Sequence, residues 1–277
     1  MSRITGQTIL ITGATDGIGL ALARQLQTDN YLLLLGRSDA KLKRLFGDVS
    51  NVKTYTADLS KMAEVRSVAK SISADVSQID LLIHNASCVS SERVMTEDDF
   101  ELQLTVNYLA PVLLTSILLP MIENSGGSLI FINSRAHKRA RFTLSDPQLE
   151  SGYDLSLAYN RSKLYLMLFA KRLSELVSER GINVNSIHPG LVNTTMGEKN
   201  CNTFHQIAWK LMKQLGKSPE AAAMNIISLI NSDEFKDSNG AFFGPKGKCK
   251  PSSIVKDSKA TGDLWKLTEN LLKTSIL

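Results

Sequence analysis

Tyr159 and Lys163 stand four residues apart in Tyr159-Asn160-Arg161-Ser162-Lys163, which puts a phenol and an ammonium one turn apart on a helix face. A cation that close lowers a phenol pKa, whereas an unperturbed tyrosine holds its proton until about pH 10. The spacing therefore predicts a Tyr159 able to exchange a proton with a substrate oxygen near neutral pH. Taken alone, the pair also fits an ordinary amphipathic helix face, so its surroundings have to decide.

A second cluster is suited to binding. The run Thr12-Gly13-Ala14-Thr15-Asp16-Gly17-Ile18-Gly19 follows a strand-like apolar segment and opens an amphipathic one. Gly13, Gly17 and Gly19 permit a tight turn and close backbone approach to a pyrophosphate at a helix N-terminus, with Thr15, Asp16 and Ile18 completing the cradle. The next apolar run ends in Gly36-Arg37. A cofactor lacking the 2′-phosphate would meet an acid at its ribose there, whereas arginine pairs with a phosphate. Arg37 thus favours NADP(H) over NAD(H). Asp16 argues the other way, and a solvated loop arginine is the plain alternative. After the third run, Asp58 and Leu59 suit an adenine site, or Asp58 simply starts the helix that follows.

The elements that must position these residues are legible as alternating patterns. Short β-branched or leucine-rich runs fall at 7–12, 31–36, 52–56, 79–84, 127–133 and 182–187, and amphipathic stretches fill the gaps, including 17–28, 61–75, 99–123 and 156–180. This alternation predicts an α/β fold, a doubly wound, mainly parallel sheet flanked by helices. Further helices are expected at 203–214 and from the N-terminal signal Ser218-Pro219-Glu220, and Gly181 fits a helix C-terminus. With 277 residues and no linker, the chain reads as one domain over 1–277. A net charge of +5 comes in short clusters, His137 to Arg141 and Lys246, Lys248 and Lys250. These read as solvated loops or as attraction for an anionic ligand. No motif points to nucleic acid. Cys88, Cys201 and Cys249 are too scattered for zinc or a disulfide framework.

The strand-like run begins almost at once, leaving no room for a signal peptide, and the Tyr108–Ile122 run, interrupted by Pro111 and Pro120, is judged too short to span a bilayer. A cytoplasmic protein without an integral membrane segment is expected.

Together these residues resemble the short-chain dehydrogenase/reductase superfamily over nearly the whole chain, which implies a single Rossmann-type domain. TGATDGIG is similar to its glycine-rich turn and YNRSK to its YxxxK motif. Asp58 matches its adenine-site acid. His84-Asn85-Ala86-Ser87 matches its NNAG, with His84 and Ser87 as departures; Asn85 and Ala86 are implied cofactor contacts, and Ser87 costs backbone freedom or adds a hydroxyl contact. The resemblance also implies a catalytic Ser134, a helical Asn107 that positions a water linking Lys163 to solvent, and a Pro189-Gly190 turn beside the nicotinamide, followed by Val192 and Thr194. A long insertion, Lys138 to Leu157, together with Ser134-Arg135-Ala136-His137, Asn239 to Phe243 and Asp263 to Glu269, is similar to the retinol dehydrogenase-like branch.

The implied activity is hydride transfer between NADP(H) and a carbonyl or alcohol of a hydrophobic small molecule. Tyr159 would serve as acid or base, Ser134 as hydrogen-bond donor, and Lys163 would lower the Tyr159 pKa and hold the ribose. A dinucleotide-binding sensor without turnover, and reduction of an activated C=C bond, remain alternatives. Substrate contacts are expected from a lid over 191–217, with Met196, Phe204, Ile207, Ala208, Trp209, Leu211 and Met212 either lining it or packing its helix on the core. Cys201 and His205 read as bystanders. The stripe Leu264, Leu267, Leu271 and Leu272 suits core or a subunit contact. The helices at 99–123 and 156–180 could pair across a twofold in a homo-oligomer, and a monomer is also compatible.

Overall fold

The computed structural model describes residues 4–196 and 201–277, apart from the side chains of Phe204, Ile207, Ala208, Leu211 and Met212. Strands β1 (Thr8–Thr12), β2 (Tyr31–Gly36), β3 (Val52–Thr56), β4 (Leu81–His84), β5 (Ser128–Ile132) and β6 (Asn183–Ile187) form a parallel sheet in the order β3-β2-β1-β4-β5-β6. The sheet is extended by β7 (Phe242–Gly244), parallel to β6, and by β8 (Gly247–Cys249), antiparallel to β7. Strand order reverses between β1 and β4, so a crevice opens beyond the carboxyl ends of these two strands, where doubly wound sheets hold ligands.

Alternate residues of each strand feed two cores. Ile9, Ile11, Leu32, Leu34 and Ile83 pack with helices α1 (Gly17–Leu26), α2 (Asp39–Phe46) and, later in the chain, α8 (Pro219–Ile230). Leu10, Leu33, Leu82, Leu129 and Phe131 pack on the other face with α3 (Met62–Asp75), α5 (Ala110–Ser125) and α6 (Leu155–Leu176). Strands buried on both faces must be apolar throughout, and this is why their runs stand out in the sequence. The Ser218 hydroxyl caps α8 by accepting from Ala221 N–H, with Pro219 in the first turn. α6 ends at Leu176, earlier than expected, and Gly181 instead closes the 3-10 turn Ser178–Arg180 that follows, at φ +72°, a left-handed value that favours glycine.

One expectation is corrected. The apolar run at Tyr108–Ile122 is part of an unbroken 24-residue helix, Leu102–Ser125, long and apolar enough to cross a membrane. It comprises a short α4 (Leu102–Leu104), a π-helical turn (Thr105–Leu109) and α5. Both prolines lie inside this continuous helix: Pro111 just after the π-helical turn, where the hydrogen-bond ladder changes register, and Pro120 within α5. The most apolar window is 72% buried against the sheet, as a core helix would be.

The carboxyl-terminal stripe belongs to α10 (Ser258–Leu272), which lies along α6. Leu264 and Leu272 enter the core, Trp265 stacks on Phe169 with centroids 5.4 Å apart, and the Tyr108 hydroxyl meets Thr268 Oγ1 at 2.5 Å. Leu264 and Leu272 are therefore core, partly buried Leu271 packs against it, and Leu267 is partly buried. Every residue from Leu164 to Ala170 is buried, against the sheet, α10, the π-helical turn and the segment after β5, so this stretch of α6 is covered within the chain itself.

Candidate active site

The glycine turn is built by three close approaches. Gly13 and Gly17 have φ of +71° and +52°. A β-carbon on Gly13 would lie 2.9 Å from Ala86 Cα, and one on Gly17 would lie 3.2 Å from Thr194 Cγ2. A β-carbon on Gly19 would collide with the Gly13 carbonyl and lie 2.5 Å from Asn85 Nδ2. Gly19→Ala is accordingly expected to lower dinucleotide affinity at least ~10-fold and to reduce the melting temperature by several degrees, since backbone must move. Cofactor titration and a thermal melt check it, and unchanged values for both would show that the turn tolerates a side chain.

Asn85 and Ala86 fix β4 to this turn. Thr12 Oγ1 accepts from both backbone N–H groups at 3.0 Å, and Asn85 Nδ2 donates to Thr12 O at 3.0 Å. Asp16 caps α1 by accepting from Gly17 N–H at 2.8 Å, and its other oxygen accepts from Thr195 at 2.6 Å. Its carboxylate is thus engaged inside the turn. Gly36 has no room for a β-carbon because Thr15 Cγ2 would be 2.7 Å away, and this contact brings the end of β2, with exposed Arg37, beside the turn. Asp58 accepts from Ser60 N–H and Oγ–H at 2.9 and 2.8 Å, next to partly buried Leu59.

Asn107 lies in the π-helical turn and is fully buried. Its amide oxygen accepts from Ser87 Oγ–H at 2.9 Å and Cys88 N–H at 2.8 Å, while its amide nitrogen donates to Cys88 O at 3.0 Å and Ser162 Oγ at 3.1 Å. The Ser87 hydroxyl is therefore spent on Asn107, and Ser162 belongs to the same network; neither partnership can be read from spacing. His84 stacks on Phe131 at 4.9 Å and bonds Thr115 at 2.8 Å, and burial pushes it down to about 3, which keeps it neutral.

Ser134 lies two residues beyond β5 in extended conformation and caps a 3-10 helix, Arg135–Arg139. The insertion after it is pinned back on α6: Tyr165 O–H donates to Thr143 O, and Arg161 to Asp146 O, each at 2.5 Å. This brings the Tyr159 phenol, across 25 residues of sequence, near enough to the Ser134 hydroxyl for the serine to influence its ionisation. Lys163 is 2% exposed and donates to Ile132 O at 3.1 Å, with Nζ 5.8 Å from the Tyr159 ring centre.

The ionisation of this pair corrects the reading from spacing. Burial pushes the Tyr159 phenol up to about 12, with the Ser134 hydroxyl opposing it, and burial pushes the Lys163 ammonium down to about 8. Lys163 is turned to a backbone carbonyl, and its own charge is weakened by the same burial that raises Tyr159.

The remaining sequence candidates lie around the same crevice. Gly190 turns the chain at φ +86° after Pro189, and Val192 is buried and bridged to Lys217. Asn193 N–H donates to Lys217 O and Lys217 N–H to Leu191 O, both at 2.9 Å, so the chain between leaves and re-enters through one paired base. Within it, helix α7 spans Thr203–Lys213, and Trp209 Nε1 donates to Thr194 O at 2.9 Å, beside the glycine turn. Met196 is partly buried, while the other proposed lid side chains, from Phe204 to Met212, lie outside the described residues except Trp209. His205 bonds Asn202 at 2.7 Å, and Cys201 is partly buried. Among the described residues, no group of three His, Cys, Asp or Glu is placed to hold a metal.

Residues 7–203 match the short chain dehydrogenase family model. The chain is 31% identical to human retinol dehydrogenase 13, covering 95% of this chain and 84% of the relative. It is 27% identical to polyprenol dehydrogenase of Danio rerio, covering 94% and 85%. Among solved structures, L-sorbose reductase from Gluconobacter frateurii, complexed with NADPH and L-sorbose, superposes with a TM-score of 0.68 at 23% identity over 92% of this chain and 98% of that one, a likeness of fold. An uncharacterized protein from Mycobacterium paratuberculosis reaches 0.80 at 25% identity, over 100% and 97%. Family model, relatives and site geometry converge: the chain belongs to the short-chain dehydrogenase/reductase superfamily of oxidoreductases, in its retinol dehydrogenase-like branch.

Proposed function

We propose that this chain is an NADP(H)-dependent oxidoreductase that moves a hydride between the nicotinamide and a carbonyl or alcohol of a hydrophobic small molecule, with Tyr159 as proton donor and acceptor. The reading rests above all on the convergence of Ser134, Tyr159 and buried Lys163 at the carboxyl end of β5, from elements far apart in sequence. A dinucleotide fits the cradle beside them, because Gly13, Gly17 and Gly19 let the turn pack tightly on Ala86, Thr194 and itself, with bare backbone at its surface, and the N–H groups opening α1 lack helical acceptors. When bound, the cofactor supplies or accepts the hydride.

The protein side of the reaction follows from three groups. The Tyr159 phenol, protonated at neutral pH, gives its proton to the developing alkoxide in the reduction direction. The Ser134 hydroxyl donates to the same oxygen and stabilises charge that grows in the transition state. Lys163 places a cation at the cofactor ribose, and Asn107, locked by four hydrogen bonds, holds the end of β4 against α6. Retinol and polyprenol, named in the relatives, are hydrophobic alcohols, in keeping with the apolar sequence of α7.

Arg37 supports the choice of NADP(H): it is exposed at the end of β2 and has no carboxylate partner among the described residues. Calorimetric titration is expected to show NADPH bound more tightly than NADH, and Arg37→Ala to weaken NADPH ~10–100-fold while leaving NADH nearly unchanged, the size of one charged hydrogen-bonded contact. NADPH oxidation with a panel of hydrophobic aldehydes and ketones tests turnover directly. Preference for NADH would refute the role of Arg37, and cofactor binding without turnover across the panel would count against an enzyme of this class.

A further inference from the structure

His137 touches the Ser134 turn through both its main chain and its ring. It is fully buried in the 3-10 helix that Ser134 opens. Nδ1 lies 2.6 Å from Ser134 O, and since a carbonyl only accepts, Nδ1 carries the hydrogen. Nε2 is then a bare acceptor, and it takes the Ser252 N–H at 3.1 Å. Each ring nitrogen has one possible role, and the ring is neutral, a state that burial further favours. Its edge meets Phe242 on β7 at 4.9 Å and 90°, and Phe242 in turn lies 5.2 Å from His188, at the end of β6.

The serine is thus held from three sides. Its N–H donates to Asn133 Oδ1 at 2.8 Å, its Oγ accepts from Ala136 N–H at 3.2 Å, and its carbonyl accepts from His137. With a lone pair of Oγ occupied by Ala136, the hydroxyl hydrogen is free to aim at Tyr159. Of the three contacts, the one from His137 passes on to the segment after β8, through the Ser252 N–H.

We infer that His137 is a positioning residue: it anchors the Ser134 turn to the Ser252 backbone so that the serine hydroxyl meets the Tyr159 phenol and the substrate oxygen in line. This rests on the reading of Ser134 given above. A displacement of about 1 Å of a reacting group costs on the order of 10²-fold. His137 touches no reacting atom in this arrangement, and its effect would pass entirely through Ser134.

The test is a double-mutant cycle in the full chain, with kcat and KM for carbonyl reduction, NADPH affinity and melting temperature measured for each variant. His137→Ala is expected to lower kcat ~10–100-fold while KM and NADPH affinity stay within about 2-fold. His137→Asn, which keeps an N–H donor near the Nδ1 position, is expected to recover most of that loss. In a Ser134→Ala background, His137→Ala is expected to add less than about 2-fold, because the residue it positions has gone. Losses that multiply across the cycle, or full kcat in His137→Ala, would overturn the inference while leaving Ser134 in place. Full activity of Ser134→Ala would instead remove the reading beneath it. If His137→Ala does not fold, the same cycle run with His137→Asn and His137→Gln decides: Asn and Gln variants with equal kcat would refute a role for the Nδ1 contact.

Discussion

Tyr159→Phe is expected to reduce the turnover of NADPH-dependent carbonyl reduction by about 10²–10⁴-fold, the range one positioned proton donor supplies. The substitution removes a single oxygen and leaves the ring in place, so NADPH affinity and melting temperature should change little. Residual activity should come from cofactor and substrate held together with Ser134 still donating. The phenol, raised to about 12, stays protonated through the neutral range, so its ionisation should not limit reduction below about pH 10. Lys163, lowered to about 8, is the group that titrates within the working range, and its charge is lost as pH rises through that value. A fall in the reduction rate near pH 8 is therefore expected in the wild type and again in the residual rate of Tyr159→Phe. Steady-state kinetics over pH 6–10 check both points. A variant with wild-type turnover would remove Tyr159 from the chemistry, and loss of the pH 8 break in the variant would assign that break to tyrosine.

That the fold could be read from the sequence follows from how its strands are buried. β1 to β6 lie within a residue or two of the expected runs; β1, β2, β4 and β5 stand out because strands covered on both faces are apolar almost throughout, whereas β3 and β6 carry polar residues and are marked by their β-branched and aromatic ones. β7 and β8, three residues each, carry no such signal and take their place from β6 and from one another. Helix α2 fills a gap between strands as expected, but its limits were not legible because its charge-rich sequence, Asp39-Ala40-Lys41-Leu42-Lys43-Arg44, buries only Leu42 and Phe46. In the site, the glycine turn and the Tyr159–Lys163 pair are local patterns and were visible as such. Ser134 and Asn107 needed the family resemblance, since each comes from its own element and meets the others only on folding. His137 and Ser87 act through partners, and the Ser252 N–H that fixes His137 lies 115 residues further along. The Tyr159 pKa was misjudged for a related reason: spacing announces a nearby charge, whereas burial, which sets the sign here, is a property of the folded chain.

The same burial predicts a conflict between stability and function at Lys163. Lys163→Met should raise stability at pH 7 by roughly 1–2 kcal/mol while abolishing most of the turnover. Burial lowers the ammonium from 10.5 to about 8, and at about 1.4 kcal/mol per pH unit this corresponds to roughly 3 kcal/mol spent holding the charge in the folded state. At 2% exposure little solvent screens that cost. Methionine fills similar volume without a charge, but it leaves Ile132 O without its donor, which takes back about 1–2 kcal/mol. For a chain of this size the net gain should raise the melting temperature by ~2–6 °C. Its pH dependence carries the sign. Below about pH 8 folded and unfolded states both hold the proton and the penalty is constant; between about 8 and 10.5 only the unfolded state keeps it, so wild-type stability rises with pH. The advantage of Lys163→Met should accordingly be full at pH 7 and shrink by pH 10. Thermal and urea unfolding of both proteins at the two pH values decide the matter. A less stable Lys163→Met at pH 7, or an advantage independent of pH, would mean that the buried amine is compensated in the fold and not kept at a cost to stability for its place beside Tyr159.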